Sequence, residues 1–292
     1  MNKLIASISK LTKTKKSEVL SNLKKYQNQI VVIKYGGSAM LDPSLSISFI
    51  SDIEVIVQAG IKPIIVHGGG PQINDILNKM NIKHKFYKGM RVTDDFTFKI
   101  VEMVLSGSIN KNISLDLSKK NINAIGISGY DSKLILAKKY SLKENGKVVD
   151  LGNVGKPTKL NKNFILGLIQ NNIVPVISPI GFNNKGKKFN INADLTAGFI
   201  AHELKSRRLL MLTDVKGVID RNKVLIPELK LNIAKKMISD GIIYGGMIPK
   251  VNTCMDCVKK GVRASVIIDG RVKNALVKEL FSHQGMGTLF RK

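Results

Sequence analysis

Short runs of β-branched residues alternate with amphipathic stretches along most of this chain. The run from Ile30 to Tyr35 contains Val31-Val32-Ile33, and the next, Ile61 to Val66, follows a helical stretch from Ser44 to Ala59. Runs of this length without polar alternation fit strands buried on both faces, the pattern of a parallel sheet. A second helical stretch, Pro71 to Met80, completes a βαβα unit. Further strands are expected at Ala124 to Ser128, Leu134 to Ala137, Ile173 to Ser178, Leu209 to Thr213 and Ser265 to Ile268. Helices are expected near Thr97 to Leu105, Phe164 to Gln170, Asp194 to Leu204 and Ile248 to Lys260. The pattern predicts an α/β fold whose open, mainly parallel sheet is sandwiched by helices.

The first 29 residues depart from this alternation. Val19, Leu20, Leu23 and Tyr26 fall at helical spacing behind Ser17 as a cap, which predicts an N-terminal helical extension. It carries seven lysines against one glutamate. A basic transit peptide is a rival reading, although such peptides favour arginine and this segment has none. An arm that docks on a neighbouring subunit and a plain solvated helix are the others. The polar stretch Lys138 to Lys162 reads as a hairpin with loops, and no linker or internal repeat interrupts the rest. Residues 30–292 are therefore expected to form one domain behind the extension 1–29.

Composition narrows the class. Of 292 residues 43% are hydrophobic, enough for a sizeable core, yet the apolar runs are strand-sized and no spanning helix is expected. A net charge of +26 would ordinarily point to nucleic acid or an anionic membrane. Here forty of the 47 basic residues are lysines scattered along the chain, and aromatics are 5% with no tryptophan, so stacking platforms for bases are missing. Neither nucleic acid nor membrane is expected as a partner, while the positive field favours capture of polyanionic nucleotides. Cys254 and Cys257 have C-x-x-C spacing, but His67, His84, His202 and His283 lack ligand spacing near them. The pair reads as ordinary helix residues in a reducing cytoplasm, and no protein-built metal site is expected.

The candidate chemistry lies where strands run into glycines. Lys34 precedes Gly36 and Gly37, His67 precedes Gly68, Gly69, Gly70 and Pro71, and Gly245 and Gly246 lead to Lys250. Bare backbone at such points lets N–H groups approach an anion, and a helix start adds free donors. Two lysines beside bare backbone suggest a triphosphate held from both sides, hence a kinase. His67 at a strand end reads as a structural residue rather than a base. Neither the G-x-x-x-x-G-K-[ST] loop nor a G-x-G-x-x-G fingerprint occurs, so the phosphate cradle must be distributed over several loops.

Six segments taken in order carry a resemblance: Lys34 to Gly37, His67 to Pro71, Gly89 to Thr93, Asn190 to Asp194, Leu212 to Val218 and Gly245 to Lys250. Over Ile30 to Phe290 the chain resembles the N-acetylglutamate kinases of the amino acid kinase family. The resemblance implies transfer of the ATP γ-phosphate to the side-chain carboxylate of N-acetyl-L-glutamate, a step of arginine biosynthesis, with Mg²⁺ carried mainly by the nucleotide phosphates. It implies that Lys34 and Lys250 stabilise the transferring group while Asp194 holds both, and that Gly69, Gly70, Arg91 and Asn190 bind the amino-acid substrate. Gly36 and Gly37, Thr213, Asp214, Gly217 and Val218, and Gly245 and Gly246 would line the ATP crevice, so the N-terminal half binds the acceptor and the C-terminal half the nucleotide. Arg91 offers a planar fork suited to a carboxylate. The acceptor carboxylate is already ionised at neutral pH, which removes the need for a general base. Glutamate 5-kinase, a carbamate kinase-like enzyme and a catalytically silent sensor of arginine or nucleotide are the alternatives.

The N-terminal helix and the ending from Glu279 to Thr288 also resemble the arginine-inhibited, hexameric members of that family. The resemblance implies a homo-oligomer, dimeric or hexameric through the N-terminal helix, with arginine as an inhibitor. Asn274 stands where those members usually carry a histidine, a departure from the pattern.

Overall fold

The computed structural model describes residues 1–144, 147–283 and 285–292. Two helices open the chain, α1 (Asn2–Thr12) and α2 (Lys16–Tyr26). Val19, Leu23 and Tyr26 turn inward from α2 and Leu20 is exposed. Ser17 is not the cap. The carbonyl of Lys15 already accepts from Val19 N at 3.1 Å, so the helix starts one residue before Ser17 and has no side-chain cap.

The expected βαβα unit follows as β1 (Ile30–Tyr35), α3 (Pro43–Gln58), β2 (Lys62–His67) and α4 (Gly70–Lys79). Asp42 caps α3 by accepting from Ser44 N and Leu45 N, and Pro43 opens that helix without losing a needed donor. A short hairpin, β3 (Phe86–Tyr87) and β4 (Met90–Arg91), leads to α5 (Asp95–Glu102), which widens into a π-helical turn at Met103–Ile109 and continues as α6 (Asn110–Ser118). After β5 (Ala124–Ser128) come β6 (Ile135–Lys139), the hairpin β7 (Leu142–Glu144) and β8 (Lys147–Val149), and β9 (Val154–Leu160). The tip of that predicted hairpin, residues 145 and 146, lies outside the described residues. Then follow α7 (Lys162–Gln170), β10 (Val174–Ser178), β11 (Ile180–Phe182), β12 (Lys188–Ile191), α8 (Ala193–Glu203) and β13 (Arg208–Thr213). The last stretch holds β14 (Glu228–Lys230), α9 (Leu231–Ser239), α10 (Met247–Lys259), β15 (Ser265–Asp269), α11 (Ala275–Phe281) and β16 (Gly287–Arg291).

Eight strands form an open sheet in the order β14-β16-β15-β13-β1-β2-β10-β5. All neighbours are parallel except β15 and β16, in agreement with the apolar runs of the sequence. The strand expected at Leu134 to Ala137 does not join this sheet; as β6 it closes a four-stranded barrel with β9, β11 and β12. Side chains alternate across the sheet. Val31, Ile33 and Tyr35 face one core layer with α3 and α11, and Val32 faces the other with α7, α8 and α10. By the same parity Lys34 points with Val32 toward α8, and His67 points with Ile65 toward α6. Each fully buried Val or Ile contributes roughly 1.5–3 kcal/mol, so two continuous layers hold the strand ends rigidly. Because β1, β2 and β13 are parallel, Lys34, His67 and Thr213 all reach the same edge, the usual ligand crevice of an open α/β sheet.

Candidate active site

At that edge α8 is capped by Asn192, whose Oδ1 accepts from Asp194 N and Leu195 N. The cap leaves Asp194 in the first turn, where the helix dipole favours a carboxylate. Lys34 Nζ lies 3.1 Å from Asp194 Oδ1 and Lys250 Nζ lies 2.6 Å from Oδ2. Lys250 comes from the first turn of α10, and α10 packs tightly on α8 at Gly198: a Cβ there would lie 2.4 Å from Thr253 Cγ2. Burial drives the Asp194 carboxyl upward, but the two ammonium groups outweigh it and hold the pKa at about 2. Burial is also the main influence on Lys34, which it lowers despite Asp194. One carboxylate thus keeps two cations side by side at the crevice floor.

Two cavities meet there. The first, about 280 Å³, is lined by Lys34, Asp194, Lys250, Gly37, the Gly68 to Gly70 turn, Arg91 and Asn190. Arg91 Nη2 donates to Gly70 O at 3.1 Å and Asn74 Oδ1 at 2.6 Å, and its guanidinium lies over the Phe86 ring at 4.6 Å. Its Nη1 is buried with no partner, an open demand for an anionic oxygen. Burial lowers the Arg91 pKa to about 10, so it stays charged near neutrality. Asn190 Nδ2 donates to Thr93 Oγ1 at 3.2 Å, and Thr93 in turn donates to Arg91 O. The second cavity, about 570 Å³, is bounded by Thr213, Asp214, Gly217, Val218 and Gly246, and also by Lys250. It is large enough for a nucleoside and more apolar in its walls, with Ile242, Ile243, Tyr244 and Met247 on one side.

The six sequence segments therefore converge on one crevice. Gly36 and Gly245 line neither cavity, and Gly37, expected in the ATP crevice, lines the first cavity instead of the second. Gly36 is instead the place where a Cβ would come 3.0 Å from Lys34 Nζ, so its bareness gives the ammonium room. The helix after the glycine turn starts one residue earlier than expected, with Gly69 as cap and Gly70 first. Ile243, Tyr244, Met247 and Arg271 were not named as site residues; the first two precede the Gly245 to Lys250 motif and Met247 lies within it, while nothing local marks Arg271. Gly198 was also missed, since a glycine inside a helical pattern reads only as a weak point. Cys254 and Cys257 are buried in α10, where the Cys254 thiol meets Met211 Sδ and the Cys257 thiol donates to Gly198 O. Among the described residues no group of three or more His, Cys, Asp or Glu is gathered as a metal site.

A family model described as the amino acid kinase family matches residues 29–269. The chain belongs to the amino acid kinase family. Among curated relatives, an acetylglutamate kinase of Rhodospirillum rubrum is 46% identical over 94% of this chain and 91% of its own length. That of Rhodospirillum centenum is 48% identical over 94% and 92%. Among solved structures, N-acetylglutamate synthase from Neisseria gonorrhoeae superposes with a TM-score of 0.83 at 19% identity, covering 94% of this chain and 62% of that one. Carbamate kinase from Giardia lamblia bound to AMP-PNP gives 0.64 at 22% identity, covering 91% and 99%. At those identities the two structures speak for the fold alone, which is the amino acid kinase fold of sheet and flanking helices.

Proposed function

We propose that this chain is an ATP-dependent kinase that transfers the γ-phosphoryl group to the side-chain carboxylate of N-acetyl-L-glutamate. The observation that carries the reading is Lys250: its ammonium sits on Asp194 and lines both cavities, so an acceptor in one and a triphosphate in the other meet at the same cations. Relatives 44–48% identical over most of the chain are named acetylglutamate kinase, which supports the acceptor. The acceptor cavity draws on the N-terminal half from Lys34 to Leu105 and also on Asn190, Asp194 and Lys250, whereas the nucleotide cavity is built from the C-terminal half alone, Thr213 to Arg271.

A carboxylate of pKa about 4.3 needs no deprotonation at neutral pH. The obstacle is repulsion between two anions, so the residues have to align and neutralise. Arg91, with its unpartnered Nη1, grips a carboxylate of the acceptor, and Asn190 and the Gly69 and Gly70 amides orient the rest. Lys34 and Lys250 stabilise charge on the transferring group, and Asp194 keeps them apart at the spacing of its two oxygens. Asp194 is engaged by both lysines, so Mg²⁺ fits this site as an ion carried in on the ATP phosphates, where it neutralises their charge. Turnover of ATP with N-acetyl-L-glutamate, compared against glutamate, aspartate and carbamate, tests the reading. Faster turnover with any of the other three would overturn it.

Regulation by arginine has its own observation. A third cavity, about 520 Å³, lies between α2 and the C-terminal stretch and presents Glu18, Glu228 and Glu279 beside Lys25, Arg208 and His283. Carboxylates and cations together suit both ends of a free amino acid with a guanidinium side chain. Gln284 of that stretch lies outside the described residues. Asn274 does not line this cavity; it caps α11 in a left-handed turn with φ of 59°, a conformation asparagine tolerates well. The reading includes a cytoplasmic homo-oligomer, a dimer or a hexamer built through α1 and α2. Arginine at millimolar concentration is expected to inhibit; unchanged activity and unchanged mass by light scattering would refute the regulatory part alone.

A further inference from the structure

His67 closes β2 directly before the glycine turn, and nothing in the chemistry above uses it. It is fully buried, and Asn110, the first residue of α6, is buried against it at 1% exposure. Asn110 Nδ2 lies 2.9 Å from Val176 O, 3.3 Å from Ile127 O and 3.1 Å from His67 Nε2. Carbonyl oxygens only accept, so the amide atom facing them is the NH₂ group, and because an amide nitrogen cannot accept a hydrogen bond, the imidazole nitrogen in front of it carries no proton. The ring proton of a neutral His67 therefore sits on Nδ1, 2.8 Å from Gly68 O. Burial keeps the ring neutral, pushing its pKa down to about 4.

Gly68 is held on both sides, because its N–H, in the peptide before the one that carries its carbonyl, donates to Tyr35 O at 2.7 Å. In a planar trans peptide the Gly69 N–H points opposite to the Gly68 carbonyl. With that carbonyl turned to the buried ring, the Gly69 N–H turns away from it, and Gly69 lines the first cavity. Behind Gly69 the π turn closes the remaining space: a Cβ there would lie 2.5 Å from Ile109 Cδ1 and 2.7 Å from Leu105 Cδ2. The wide turn presents Leu105 and Ile109 to the glycine and delivers Asn110 to the histidine, a local use of π geometry beside a site.

We propose that Asn110 and His67 form a positioning relay, in which the amide fixes the ring tautomer and the ring fixes the peptide that aims the Gly69 N–H at an anionic oxygen of the bound acceptor or of the transferring phosphoryl group. The proposal rests on the reading of the first cavity as the acceptor site. His67 is a positioning residue and touches no substrate itself.

Two measurements test it. In the two-bond ¹⁵N–¹H spectrum of the unliganded wild-type protein, His67 is expected as the Nδ1–H tautomer; an Nε2–H tautomer overturns the relay. This spectrum reports on the relay whether or not N-acetyl-L-glutamate proves to be the acceptor, and it decides alone should a variant fail to fold. In turnover assays run well below each variant's Tm, His67→Asn keeps an amide donor for Gly68 O and His67→Leu keeps only bulk. His67→Leu is expected to lose about 10²-fold in kcat/KM for the acceptor, the cost of an ångström-scale misplacement. His67→Asn is expected to stay within about tenfold of wild type, with KM for ATP unchanged in both. A Leu variant as active as the Asn variant, or more so, is the mark of mere packing and overturns the proposal.

Discussion

Lys34 and Lys250 hold their ammonium groups on the two oxygens of Asp194, at 3.1 and 2.6 Å. A buried ion cluster of this kind is weak evidence for stability, since desolvation of three charges offsets most of their attraction. Its value is in where it leaves positive charge. Replacing Lys34 or Lys250 with alanine is expected to lower kcat by about 10²–10³-fold, the scale of losing one preorganised electrostatic group, with circular dichroism and Tm near wild type. Near-normal turnover in either variant would contradict the assigned roles. Arg91→Ala is expected to act differently, because the proposed role of its unpartnered Nη1 is to bind the acceptor before and during transfer. It should raise KM for the acceptor by on the order of 10–100-fold while kcat changes little, which steady-state kinetics at saturating ATP will separate.

At the scale of elements, two contacts outside the cavities stand out, one between helices that carry site residues and one between helices that carry none. Gly198 lets α8 and α10 approach closely, and that approach sets the distance from Asp194 to Lys250. Gly198→Ala would press a methyl into Thr253 and is expected to cost about 1–3 kcal/mol in urea unfolding and to lower kcat without altering KM for the acceptor. An unaltered kcat would show that the helix spacing has slack. Asp52 on α3 is the second contact: it accepts from Leu276 N at 3.0 Å and Asn274 Nδ2 at 3.2 Å, tying α3 to the start of α11. Burial raises its carboxyl from 3.8 to about 6, with Asn274 and the Leu276 and Val277 amides pulling against the rise. An acid with a raised folded pKa favours folding while protonated, so its contribution is complete below pH 3.8 and is lost as pH climbs through about 6. Between those limits wild type should lose on the order of 3 kcal/mol relative to Asp52→Asn, read as the difference between their unfolding free energies at each pH. Parallel pH curves would mean that Asp52 is not strained by burial. Local signals made β1, β2 and their glycine turns legible, because an apolar run ending in Lys34 or His67 and bare backbone is written within seven residues. Gly198, the π turn and the barrel strands β9 and β12 were not, since each is defined by what packs against it: β9 carries lysines on its outer face, and a helix that widens at Met103 keeps an ordinary apolar rhythm in sequence.

For the molecule as a whole, the +26 charge says little about the fold and more about encounter, since a positive field draws polyanions toward the crevice. The order of the strands was beyond any local pattern, yet it is what assembles the site: β1 lies between β2 and β13, so the turns after all three open at one edge. That arrangement makes Lys250 a shared wall of two cavities. A shared wall means that the two sites draw on one counter-charge and are not independent: occupancy of either changes the potential felt in the other, and by linkage the effect is reciprocal. A small dianion such as sulfate seated at Lys34 and Lys250 would take the place of the phosphoryl group common to both complexes. It is expected to inhibit competitively against ATP and, in a separate titration, competitively against the acceptor, a double pattern that an anion bound in only one cavity would not produce.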